Sequence, residues 1–98
     1  MAVTLHDDVK LALRISNVAY DSEVQDLIDA AKMDMELVGI VTTSIVDTDI
    51  LIKRAIITYV KAHFGLGNPD AEKLQQSYEM IRNHLSQNME HNGGVVIV

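Results

Sequence analysis

Residues 50–64 carry Ile50, Leu51, Ile52, Ala55, Ile56, Ile57, Tyr59, Val60, Ala62 and Phe64, which project to almost every side of a helical wheel. A helix that is apolar nearly all round has to be surrounded by other elements, so this stretch predicts a central helix with the rest of the chain packed about it. Asp47 or Thr48 is placed to cap it. Its narrow polar stripe is Arg54, Thr58 and Lys61, at i, i+4 and i+7, and the cations Lys53, Arg54 and Lys61 are expected to cover the core rim or pair with acids of the preceding helix. With 98 residues in all, 48% of them hydrophobic and only one proline, the chain supports one packed domain and one core.

The partners of that central helix are legible on either side. Thr4 and Asp7 have capping-box spacing before a first helix over residues 5–15, whose Leu5, Val9, Ala12 and Leu13 share a face and which the Ser16-Asn17 pair ends. Asp21 or Ser22 caps a second helix running to residue 38, stopped by Gly39. Val24, Leu27, Ile28, Ala31, Met35 and Val38 form its core face. Ala30, Met33 and Leu37 project to roughly the opposite side, and an apolar patch there must be covered by another helix or a neighbouring subunit. Residues 39–48, rich in β-branched residues, read as a loop. Asn68 and Pro69 stand as N-cap and first residue of a fourth helix to about residue 89, with Ala71, Leu74, Tyr78, Ile81, Leu85 and Met89 in one stripe. Asn92-Gly93-Gly94 then acts as a flexible joint before Val95, Val96, Ile97 and Val98. The fold class is all-α: a small four-helix bundle over residues 1–91 with a short extended C-terminal tail over residues 92–98.

Charge narrows the function. The net charge of −6 sits wholly in the first half, where ten acids face only Lys10, Arg14 and Lys32. Such a surface argues against a protein whose affinity comes from neutralising nucleic-acid phosphates. The connections after the first and second helices are also too long for a helix-turn-helix. The absence of cysteine excludes disulfides and thiolate metal sites. The N-terminal residues do not have the pattern of a signal peptide, and no stretch is long and apolar enough to cross a bilayer.

No group of residues requires catalysis to explain it. His6, His63, His84 and His91 match no metal-binding spacing, and Gly65-x-Gly67 lacks the lysine of a phosphate-binding loop. The pairs Asp7-Asp8 and Asp34-x-Glu36 diverge on a helix and cannot converge on one ligand. No enzymatic activity, metal or cofactor is expected. The terminal Val95, Val96, Ile97 and Val98 fold back on their own domain, stay disordered, or add a strand to a neighbour, where main-chain hydrogen bonds supply affinity.

Thr4-Leu5, Val9-Lys10, Leu13-Arg14-Ile15, Asp21, Val24, Leu27-Ile28 and Ala30-Ala31 resemble the opening of the head-tail connector proteins of tailed bacteriophages, and residues 50–64 are similar to that family's next block. The resemblance covers about the first two thirds of the chain. It implies a virion protein, made in the bacterial cytoplasm, that assembles as a ring (dodecameric in the virion) beneath the portal protein, extends the DNA channel and docks a tail or stopper protein. On this reading Ala30, Met33 and Leu37 face the neighbouring subunit, the C-terminal strand reaches the portal or a neighbour, and DNA only passes through. In place of the longer or more aromatic segment usual in that family after the third helix, this chain has a turn and a polar fourth helix. The alternative is a small DNA-binding or packaging regulator resembling a terminase small subunit.

Overall fold

The structure is a computed structural model that describes residues 4–41, 45, 49–65 and 67–87. Its elements are α1 (Leu5–Leu13), a 3-10 turn (Val18–Tyr20), α2 (Asp21–Leu37), α3 (Ile50–His63) and α4 (Ala71–Gln87). The fold is all-α. The C-terminal tail with Val95, Val96, Ile97 and Val98 lies outside the described residues.

Helix α1 begins with the expected capping box: the Asp7 amide donates to Thr4 Oγ1 at 3.1 Å, and the Thr4 amide donates to Asp7 Oδ2 at 3.4 Å. It stops two residues earlier than the apolar spacing predicts, at Leu13. Arg14 rather than Ser16-Asn17 ends it, in the left-handed region at φ 59°, with the Ile15 amide donating to the Lys10 carbonyl and the Arg14 amide to that of Leu11. That pair of bonds satisfies carbonyls that a helix end leaves open.

The entry to α2 also differs from expectation. Neither Asp21 nor Ser22 caps it. Instead Asn17 Oδ1 accepts the Ala19 amide and starts a 3-10 turn that runs directly into the helix. Asp21 is free of capping because its carboxylate holds Lys10 Nζ at 2.6 Å, tying the start of α2 to α1. The exit is as read: Gly39 takes φ +99°, its amide bonds the Glu36 carbonyl, and the Ile40 amide bonds that of Met35. Ile40 and Met35 are both buried, the apolar contact that accompanies this ending.

Helix α3 is central, packed against α1, α2 and α4. Asp49, not Asp47 or Thr48, caps it by accepting the amides of Leu51 and Ile52. Ile52, Ala55, Ile56 and Val60 are fully buried in the middle of the molecule, with Val9 of α1, Val24, Ile28, Ala31 and Met35 of α2, and Tyr78 and Leu85 of α4 around them. Ile40 and Ile45 bring the loop after α2 onto the same core. The enclosure is incomplete, since Ile50 is 78% exposed. Lys53 pairs with Asp8 of α1 at 2.9 Å rather than with an acid of α2.

Asn68 is not the residue before α4, which starts at Ala71. Its side chain joins two elements: Oδ1 accepts the Asp70 amide and Nδ2 donates to the Lys61 carbonyl near the end of α3, each at 2.9 Å. Pro69 follows in the turn instead of opening the helix. At the C-terminal end of α3, Phe64 meets Tyr20 edge to face at 5.6 Å.

Candidate functional site

The outward side of α2 is the first candidate surface. Because 100° separates successive residues, Asp26, Ala30, Met33 and Leu37, spaced i, i+4, i+7 and i+11, stand in one row away from the core row of Val24, Ile28, Ala31 and Met35. Met33 is 64% and Leu37 80% exposed, while Ala30 is half-buried. The fold therefore brings the three predicted interface residues together and covers none of the large ones. Asp26 and Glu23 extend the same side as exposed acids, and Asp29 beside them accepts a hydrogen bond from Gln25.

A second surface was only half visible in the sequence. A groove of about 380 Å³ runs along α3 and is lined by Ile50, Lys53, Arg54, Ile57, Thr58, Lys61 and Leu74. Arg54, Thr58 and Lys61 form the predicted polar stripe, and Thr58 Oγ1 turns back to the Arg54 carbonyl. What the stripe did not reveal is that Ile50 and Ile57 alternate with its cations and that Leu74 of α4 forms the opposite wall. The signal was present in the row Ile50, Arg54, Ile57 and Lys61, which has the spacing of the α2 row.

Between α2 and α4 lies a polar group with a structural role. Tyr78, fully buried, donates to Asp34 Oδ2 at 2.6 Å, and Arg82 Nη1 donates to the same oxygen at 2.9 Å. Arg82 also lies over the Tyr78 ring at 5.7 Å, and Tyr59 packs edge to face against Tyr78 at 5.0 Å. Burial pushes the Tyr78 hydroxyl well above the ordinary tyrosine range, and its bond to the Asp34 carboxylate adds to the shift. Tyr59 moves the same way, through burial and then the Asp34 charge. Both phenols stay protonated at neutral pH, and the triad of Asp34, Tyr78 and Arg82 clamps α4 onto α2.

The family model for phage connector proteins matches residues 5–92. The chain belongs to the phage connector protein family. No curated protein and no solved structure matches it significantly. The match takes in all four helices of the connector, α4 included, and so reaches past the first two thirds that carried the resemblance. Membership gives the protein a phage connector role as a component of the virion, in contact with other head or tail proteins.

The remaining candidates are dispersed across the connector. His6 Nε2 hydrogen-bonds the Asp21 carbonyl at 3.2 Å, His63 Nε2 bonds Gln75 Oε1 at 2.7 Å, and His84 lines a shallow recess with Leu51, Ile81 and Leu85. Asp7 and Asp8 diverge as expected, one to Thr4 and the other to Lys53. Among the described residues no three His, Asp or Glu side chains form a group able to hold a metal, and no helix is long and apolar enough to cross a membrane.

Proposed function

We propose that the connector works at the head-tail interface of a tailed phage as a structural ring beneath the portal, extending the DNA channel and offering a docking surface to a tail or stopper protein. The family match over residues 5–92 carries this reading. Further support comes from the exposed row of Ala30, Met33 and Leu37 on α2, since large apolar side chains clustered on a surface belong to interfaces. Exposed acids beside that row suit a protein that lets DNA slide past and does not grip it. On this reading the tail of Val95, Val96, Ile97 and Val98 adds a strand to the portal or a neighbouring subunit.

The test is assembly. Met33→Glu and Leu37→Glu each lower the oligomer mass seen by native mass spectrometry while leaving the far-ultraviolet circular dichroism unchanged. An oligomer distribution like that of the unaltered protein removes the row from the interface. Removing residues 95–98 leaves the melting temperature within about a degree and reduces portal or tail-protein binding; a large loss of stability makes the tail part of its own core. Duplex DNA binding that is tight at low salt and falls steeply as salt rises favours a DNA-binding regulator instead.

A further inference from the structure

The two surfaces match each other, and this deepens the ring reading on which it rests. Along α2 the row is Asp26, Ala30, Met33, Leu37; along α3 it is Ile50, Arg54, Ile57, Lys61. Both have the i, i+4, i+7, i+11 spacing of a seam along which two helices pack, and both run about 16 Å at 1.5 Å per residue. The orientation of one row on the other is decided by chemistry. Run parallel, Asp26 meets Ile50, Ala30 meets Arg54 and Leu37 meets Lys61, so each charge faces an apolar group. Run antiparallel, Asp26 meets Lys61, Ala30 meets Ile57 and Leu37 meets Ile50, and Met33 lies along the aliphatic stem of Arg54. Every position then has a compatible partner.

We propose that the α3 groove of one subunit receives the outer row of α2 from a second copy, antiparallel, with Asp26 against Lys61 and Leu37 against Ile50. The rows share no residue, so each copy can give α2 to one neighbour and accept α2 from the other. A contact between two different surfaces repeats head to tail and closes into a ring when its rotation allows, whereas a contact of one surface with itself stops at a dimer. Charge complementarity favours a second copy as the occupant: the exposed acids Glu23, Asp26 and Asp29 lie in or beside the α2 row, and Arg54 and Lys61 line the groove. A three-turn helix contact is small for a stable pair, so closure, which gives every copy two such contacts, contributes to holding the assembly.

Because the chain has no cysteine, single cysteines report neighbours cleanly. Chains bearing Leu37→Cys are mixed with differently tagged chains bearing Ile50→Cys at high protein concentration and oxidised, with the mass distribution of the unaltered protein measured in parallel. The expected result is a mixed 37–50 disulfide as the main product, little product when Ile50→Cys is replaced by Lys61→Cys, loss of the 37–50 link with Asp26→Lys or Lys61→Asp alone, and its return when Asp26→Lys chains meet Lys61→Asp chains. Dominant 37–37 or 50–50 links overturn the proposal by making the contact two-fold, and a dominant 37–61 link overturns it by making the helices parallel. Oligomers of the unaltered protein without a 37–50 link overturn the surface pairing and leave the ring standing. A protein that stays monomeric with no link at any concentration overturns both.

Discussion

Tyr78 has its ring in the core and its hydroxyl on a carboxylate, and both halves of that arrangement have measurable consequences. Tyr78→Phe removes one hydrogen bond and leaves Asp34 with Arg82, costing about 1 kcal/mol of stability. Asp34→Ala removes the acceptor shared by Tyr78 and Arg82, leaving the buried hydroxyl only the Ala31 carbonyl at 3.5 Å, and costs more, about 1–3 kcal/mol, read from urea unfolding. The raised phenol also sets a pH dependence. An unfolded tyrosine loses its proton near pH 10 while the folded one keeps it, so the stabilisation is complete below pH ~10 and falls as pH rises beyond that. Unfolding free energy measured from pH 9 to 11 is expected to decline less steeply in Tyr78→Phe than in the parent. Nothing local marked this triad. Asp34 read as half of a carboxylate pair that diverges on a helix, Tyr78 as a core residue of its own stripe, and Arg82 as an unassigned cation. Residues more than forty positions apart meet only because α2 and α4 are both in place.

At the scale of elements, helix ends divide into those settled within a few residues and those settled by the rest of the fold. The Thr4-Asp7 box and the Gly39 stop depend on neighbours in the chain, and both were readable. The start of α2 was not: Asp21 has the right chemistry for a cap, but its carboxylate is taken by Lys10 from another helix, and Asn17 does the capping one turn earlier. The stretch before α3 read as capped by Asp47 or Thr48, and Asp49 instead accepts the first free amides. Thr4→Ala and Asp49→Ala are each expected to cost about 1 kcal/mol. Arg14 offers the opposite change. It holds a left-handed conformation that disfavours a side chain, so Arg14→Gly is expected to raise the unfolding free energy by about 0.5–1 kcal/mol, provided its position outside the buried face leaves nothing else to lose. A midpoint in urea that stays put or falls would mean that the arginine side chain holds more than its backbone shape suggests.

Ion pairs among the described residues join the helices as a whole, including Lys10 with Asp21 between α1 and α2, Lys53 with Asp8 between α1 and α3, and Arg82 with Asp34 between α2 and α4. Each of these uses an acid from the first half of the chain, so part of the charge excess is internal stitching, Asp7 and Asp49 cap helices, and Glu23, Asp26 and Asp29 lie toward the outward side of α2. The bundle was visible from periodicity alone, and so was one of its two candidate surfaces, because an apolar row opposite a core row stands out along a single helix. The other surface was hidden by the same reasoning that identified α3 as central. Ile50 and Ile57 were counted toward a helix enclosed on all sides, whereas α4 covers only part of it and leaves a groove.

The molecule measures 43 × 35 × 17 Å, and Met33, Leu37 and Ile50 remain largely in water. A plate this thin leaves some of its apolar side chains without cover from its own chain. Covering them by association couples folding to concentration, because a neighbour that binds only the native form acts as a ligand and adds stability by mass action. The thermal midpoint should therefore climb as protein concentration is raised, and Leu37→Glu should abolish the climb. For a protein of this design, the temperature at which it unfolds reports how much of it has already found its place beside another copy.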